Sequence, residues 1–217
     1  MSVSPYRGQK MDDKRPPTAD LEGPRLLLRP LDSHFLSLCL RANGEEAAGY
    51  LSSEELPDEW LGKWRLMALH LQELHRDPAY LRWSLRAILC RTSGAMVGHI
   101  GFHTPPNPDY LAQRGSEGIE IGYEIYPAWR RRGLGREALQ TLLQFAHTQG
   151  VRHCLLSIAT DNSASMALAR SLGFEPFGPT FEDEEGGLCR YWRHSRPSES
   201  CRPMPMGQAR DETLASG

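Results

Sequence analysis

Apolar positions along this chain change period repeatedly, and each change marks an expected element. RLLLR, Arg25 to Arg29, is a short apolar run ended by Pro30 and predicts a strand. Asp32 or Ser33 can cap a helix whose stripe is Phe35, Leu36, Cys39 and Leu40, with Gly44 past its end. A second helix is expected from Asp58, because Trp60, Trp64, Met67, Leu71 and Leu74 recur at helical spacing on one face until Pro78. The pattern then alternates. Trp83, Leu85, Ala87 and Leu89 oppose Ser84, Arg86 and Ile88, Thr92-Ser93-Gly94 turns the chain, and Ala95 to His103 returns, which predicts a β-hairpin. Pro105 to Gly118 reads as a polar loop. Ile119 to Tyr126 alternates again, with Ile119, Ile121, Tyr123 and Ile125 on one face and Glu120, Gly122, Glu124 and Tyr126 on the other, unless a bulge intervenes. Leu139, Leu142, Leu143 and Ala146 make a helical stripe between Gly135 and Gly150. Val151 to Thr160 predicts a strand, Asn162 or Ser163 opens a helix ended by Gly173, and Phe174–Phe177 with Leu188–Arg193 predict a closing strand pair.

The resulting order, β-α-α-β-β-β-α-β-α-β-β, indicates an α/β domain. The strands either side of the Gly135–Gly150 helix form a βαβ unit and should lie parallel within a mixed sheet. Residues 1–20 and 195–217 are polar, contain proline and lack periodicity, so they read as disordered tails around a single domain of residues 21–194. A length of 217 residues, 40% hydrophobic and 24% charged, suits such a soluble domain.

The net charge of −2 provides no global field toward nucleic acid or an anionic membrane. No apolar run is long enough to cross a bilayer, and the N-terminus lacks the apolar core of a secretory signal, so a cytoplasmic location is expected. The five cysteines are odd in number and form no CxxC pair, which argues against a zinc or redox motif. Cys39, Cys90, Cys154 and Cys189 sit in apolar segments and read as reduced core residues. His99 and His103 share a strand face, but two histidines without a third ligand read as structural, and no metal is expected.

Positive charge is concentrated instead at one point, YPAWRRRGLGREALQ, where Arg130, Arg131 and Arg132 precede Gly133, Leu134, Gly135 and Arg136 at the start of a helix. A helix N-terminus exposes unpartnered N–H groups and partial positive charge. Glycines let an anion approach that backbone, and arginines add bidentate donors. A pyrophosphate uses all three provisions; a solvated basic turn is the alternative reading. The segment lacks the lysine of a P-loop and the third glycine of a dinucleotide fingerprint.

Arg130-x-x-Gly133-x-Gly135 after the strand EIGYEIYP resembles the acetyl-CoA loop of the GNAT superfamily of N-acetyltransferases, R/Q-x-x-G-x-G/A. NSASMALARSLGF, Asn162 to Phe174, resembles a second block of that family, and RLLLRPL is similar to the branch containing the ribosomal-protein N-terminal acetyltransferases. The resemblance implies a mixed, mostly antiparallel central sheet with helices on both faces. One parallel strand pair, Ile119–Tyr126 with Val151–Thr160, would splay at the cofactor site. Acetyl-CoA would place its pyrophosphate on the amides from Arg131 to Arg136, with Arg130, Arg131 or Arg132 adding charge. Its pantetheine arm would pair near Ile125 and meet Asn162, whose plain role is an N-cap.

The implied chemistry is attack of a primary amine on a thioester in a ternary complex, with the protein as monomer or homodimer. A lysine-type amine has a pKa of about 10.4 and an α-amine about 8, so a base must take a proton. Glu120 is the leading candidate and Glu124 the second; either could instead be a solvated strand residue or partner an arginine. Many relatives keep a tyrosine where this chain has Ala169, so Ser165 is the available group to stabilise the leaving thiolate. A protein α-amine and a small-molecule amine both remain open as acceptor. A catalytically silent acyl-CoA-binding relative, and a nucleotide-binding protein using the same loop, are the rival readings. The Trp60/Trp64/Met67 stripe reads as core, with one tryptophan able to face the acceptor. The acidic run from Glu182 to Glu185 reads as a solvated hairpin tip, or as a surface attracting a cationic acceptor.

Overall fold

The computed structural model describes residues 19–113, 117–183 and 186–195. The expected tails lie outside these residues except at 19, 20 and 195, as do Glu184 and Glu185 of the acidic run. The elements are β1 (Leu21–Glu22), β2 (Leu26–Pro30), α1 (Ser33–Leu40), α2 (Gly44–Leu51), α3 (Asp58–Leu61), α4 (Trp64–Arg76), β3 (Leu85–Cys90), β4 (Met96–Phe102), α5 (Asp109–Ala112), β5 (Ile119–Ile125), α6 (Leu134–Thr148), β6 (His153–Ala159), α7 (Ser163–Ser171), β7 (Glu175–Glu182) and β8 (Leu188–Ser195). They form one sheet in the order β1-β2-β3-β4-β5-β6-β8-β7. All neighbours are antiparallel except β5 and β6.

Helices cover both faces of the sheet. On one face α6 buries Leu139, Leu142 and Ala146, and its Phe145 meets Phe102 and Trp83. Burying each such leucine contributes about 1.5–3 kcal/mol. α7 lies on the same face, with Arg170 over the Trp192 ring. The opposite face carries α1 to α5. Trp60 of α3 stacks on Phe35 of α1 and tilts against His99 of β4, with centroids 6.1 and 5.5 Å apart. Leu111 of α5 packs with Leu155 and Tyr191 in a small separate cluster.

Three departures from the sequence pattern have local causes. Gly44 opens α2 instead of following α1, because the chain turns at Ala42 with φ 56° and starts a new helix after Asn43. The helix expected from Asp58 breaks at Gly62–Lys63 into α3 and α4. The break resets the helical phase, so Trp60 and Met67 are buried while Trp64 is 58% exposed. The polar loop contains α5, a single turn that buries Leu111. β5 is paired with β4 without a bulge, so Glu120, Gly122 and Glu124 do share one face; register shifts fall instead between Ile88 and Leu89 of β3 and between Phe177 and Thr180 of β7.

His70 and His99 are buried, and burial pushes both imidazoles down to about 4. His70 Nδ1 lies 3.1 Å from Ser84 Oγ and 3.0 Å from Tyr80 Oη. Both rings stay neutral in the fold, whereas in the unfolded chain they take a proton near pH 6.5. Below that pH the unfolded state therefore binds more protons, and stability is lost as pH falls from about 6.5 toward 4. Thermal melting across this range should show a falling Tm, with a shallower slope in His99→Gln.

Candidate active site

Parallel pairing between β5 and β6 covers only Ile119 with Cys154 and Glu120 with Leu155. Beyond it β5 stays with β4 as far as Ile125 opposite Gly98, and β6 stays with β8 as far as Ala159 opposite Cys189. Each strand is held by its outer neighbour while the inner pair diverges. His103 N–H donates to Glu120 O and Tyr126 N–H to Val97 O, so the even residues of β5 turn their backbone to β4. By the alternation of a strand, the backbone groups of Ile121, Tyr123 and Ile125 point into the opening. Arg130 Nε donates to Ile125 O at 2.8 Å, so at Ile125 it is the amide that remains for an incoming strand-like arm.

The end of β5 leads to the arginine–glycine loop. Gly133 caps α6 with φ 76°, in the left-handed region that glycine enters without a Cβ clash. A Cβ on Gly135 would lie 3.4 Å from both Ile125 Cγ1 and Leu168 Cδ2, so glycine there lets α6 approach β5 and α7 closely. Among the described residues no amide from Arg131 to Arg136 donates to a carbonyl or a side chain, although Glu137 N–H already reaches Gly133 O. Arg130, Arg131, Arg132 and Arg136 are exposed around these amides. Arg132 lies over the Trp129 ring at 5.0 Å, and Arg130 Nη2 is 3.9 Å from Glu124 Oε1.

Glu137 anchors this helix start. Its Oε1 accepts from the amides of Arg25 at 2.6 Å and Leu26 at 3.0 Å, and its Oε2 from Arg25 Nε at 2.8 Å. Arg25 Nη1 also donates to Arg132 O at 3.0 Å. The first long strand and the loop are thereby tied together through one buried carboxylate.

Glu120 stands at the last paired position of the splay and is 4% exposed. Tyr110 Oη donates to its Oε2 at 2.9 Å, Tyr191 Oη lies 3.5 Å from the same oxygen, and His103 Nδ1 is 3.5 Å from Oε1. Burial, then the carboxylate itself, pushes the Tyr110 phenol well above its ordinary range, so it remains a donor. Glu124 is differently placed: Lys63 Nζ meets its Oε2 at 2.6 Å, and Arg130 is on its other side. Its near ion-pair partner is a lysine, with the arginine considered from the sequence farther away.

Asn162 caps α7, its Oδ1 accepting Ser165 N–H at 3.0 Å. Ser165 Oγ lies 2.7 Å from Tyr123 Oη, a bond that bridges from β5 to α7. Ala169 is fully buried and presents no hydroxyl. Of the two histidines, His99 is a buried ring against Tyr126 and His103 lies beside Glu120; among the described residues no group of three or more potential metal ligands gathers.

Five residues of this region were not singled out from the sequence: Lys63, Tyr110, Tyr123, Glu137 and Tyr191. Glu137 left a signal, a charge on the buried stripe one turn after Leu134. Tyr123 left a weaker one, a polar tip among isoleucines. Lys63 and Tyr110 left none, since both arrive from segments distant in the chain.

A family model described as an acetyltransferase (GNAT) domain matches residues 25–175. The chain belongs to the GNAT acetyltransferase family. Within it, the N-alpha-acetyltransferase RimI of Mycobacterium tuberculosis is 36% identical over 97 residues, 41% of this chain and 51% of that protein. The chain thus matches about half the length of that relative. A GNAT-family acetyltransferase of Bordetella pertussis has the same fold, with TM-score 0.55 and 22% identity over 82% of this chain and 99% of that one. RimL, a ribosomal-protein α-N-acetyltransferase solved in complex with coenzyme A, aligns with TM-score 0.55 and 19% identity over 82% of this chain and 98% of its own. No helix among the described residues is long and apolar enough to cross a membrane.

Proposed function

We propose that this GNAT domain transfers the acetyl group of acetyl-CoA to a primary amine by direct attack in a ternary complex. The observation that carries this reading is the splay itself: β5 and β6 part just after Glu120, between a buried carboxylate and a loop of undonated amides. The site residues fit the co-substrate. Gly133, Leu134, Gly135 and the neighbouring amides would hold a diphosphate, with Arg131 and Arg136 supplying exposed charge. The backbone of Tyr123 and Ile125 would pair with the pantetheine arm, and Asn162 would meet it at the start of α7.

The acceptor amine would approach from the face carrying α1 to α5, where Glu120 lies. Glu120 accepts a proton from the amine as nitrogen bonds to the thioester carbon. Tyr110 and Tyr191 hold its carboxylate in place. The carbon–sulfur bond then breaks with its electron pair on sulfur, and Ser165 offers the thiolate a hydrogen bond. Glu124, held by Lys63 and near Arg130, ties the acceptor side to the phosphate loop without acting as base. The names of RimI and RimL favour a protein α-amine as acceptor over a small molecule.

Two measurements test the reading together. Coenzyme A and acetyl-CoA should raise Tm, by mass action on the native state, while ATP and NAD should not. A panel of peptide N-termini, lysine-type amines and small amines, followed by thiol release, should then yield at least one acetylated product. Tight CoA binding with no product from any amine would leave a silent binder in place of an enzyme. Stabilisation by ATP or NAD alone would point to a nucleotide site.

A further inference from the structure

We infer that Tyr123 is a positioning residue of the acetyl transfer, fixing the direction in which Ser165 presents its single hydroxyl proton. The inference rests on the reading above and concerns the same opening, but it adds a residue of β5 on the sheet face opposite Glu120. Tyr123 projects from β5 and Ser165 lies in the first turn of α7, the helix that follows β6, so their 2.7 Å contact spans the elements on either side of the splay. The Tyr123 ring passes near the first turn of α6, where a Cβ on Gly135 would lie 3.9 Å from its Cε2.

Either hydroxyl can donate in this bond, and the two directions have different consequences for catalysis. Each hydroxyl has one proton and can accept as well as donate. Tyr123 is partly buried, and burial raises its phenol above the ordinary tyrosine range, so its proton stays on at neutral pH. Among the described residues its hydroxyl has Ser165 Oγ as its hydrogen-bond partner. We assign Tyr123 as the donor and Ser165 as the acceptor of this bond, the arrangement that leaves the serine proton for an incoming group. The Ser165 amide is already directed to Asn162 Oδ1 at 3.0 Å. The serine hydroxyl proton is left for an acceptor arriving in the splay. A serine rotor that would otherwise sample several directions is held in one, which is the pre-organisation a developing charge requires.

The atom balance is simple. When the carbon–sulfur bond breaks, the sulfur takes the electron pair as a thiolate. Ser165 donates a hydrogen bond without losing its proton, Tyr123 keeps its own, and the proton released by the amine rests on Glu120 before passing to the thiolate or to water. If Tyr123 were ionised it would accept from Ser165 instead, turning the serine proton away from the sulfur. Transfer should therefore fail at alkaline pH as Tyr123 titrates.

Single-turnover kinetics with whichever amine the panel identifies test this. Tyr123→Phe keeps the ring and should lower kcat by about 10-fold, with KM for acetyl-CoA nearly unchanged. Ser165→Ala should lower it by about 30- to 100-fold. The double variant should be no slower than Ser165→Ala, because Tyr123 acts only through the serine. Multiplying penalties, or an unchanged kcat in Tyr123→Phe, would overturn the inference while leaving acetyl transfer intact. If Tyr123→Phe does not fold, replacing Tyr123 with the more acidic 2,3-difluorotyrosine supplies the second readout. The alkaline loss of kcat should then move to lower pH, and an unmoved profile would overturn the inference equally. Absence of turnover with every amine would instead overturn the enzymatic reading and this one with it.

Discussion

Glu120→Gln should lower kcat/KM for amine acetylation by roughly 10²–10⁴-fold. Acetyl-CoA binding should stay within about twofold of the parent. The substitution preserves shape and keeps one carbonyl-type oxygen for the Tyr110 hydroxyl at Oε2. What it removes is the capacity to accept a proton. Glu120 is buried, with two phenols and His103 around it, so water does not readily substitute in the same geometry. The pH profile sharpens the test. At high pH more of the amine is already unprotonated, so the deficit of the variant should narrow. Thiol release across pH and a separate CoA titration give both quantities. A variant as active as its parent would move the base elsewhere, to an ordered water or to a residue of the acceptor.

Glu137→Ala should destabilise the protein by roughly 2–5 kcal/mol and weaken coenzyme A binding as well. Two backbone amides, those of Arg25 and Leu26, lose their acceptor, and Leu26 is fully buried. Arg25 loses its carboxylate partner, although its own side chain is half exposed and that part of the loss is screened. The same carboxylate holds β2 against the first turn of α6, so its removal frees the helix start that presents the undonated amides. Chemical denaturation gives the stability change, and calorimetric titration with coenzyme A gives the affinity. Glu137→Gln, whose carbonyl oxygen at the Oε1 position can still accept both amides but which offers Arg25 Nε no acceptor at Oε2, should fall between the parent and the alanine variant. Unaltered CoA affinity in a destabilised Glu137→Ala would show that the loop keeps its shape without this anchor.

Much of the fold was legible because its elements follow local rules. The period-2 alternation of β5 placed Glu120 and Glu124 on one face and Tyr123 on the other, and the ladder with β4 has that register. The stripe of α6 and the glycines before it located the helix start, and Asn162 was readable as a cap. The errors lie where a local rule was interrupted over a few residues. Gly62 and Lys63 break the second helix, and one interruption turned Trp64 from the expected core to solvent. The single turn of α5 and the two-residue β1 are too short to show a period at all.

By itself, then, the sequence determined the order of the longer strands and of α6 and α7, the parallel crossover and the arginine–glycine helix start, since these depend on side chains close together in the chain. The tertiary structure decided which groups meet. It set Glu124 between Lys63 and Arg130, surrounded Glu120 with Tyr110, Tyr191 and His103, and joined Tyr123 to Ser165 across the opening. Those pairings cross up to 71 residues of chain, and no periodicity encodes them. They arise because β4 and β8 hold β5 and β6 apart, and packing on the two faces of the sheet brings distant side chains to the gap.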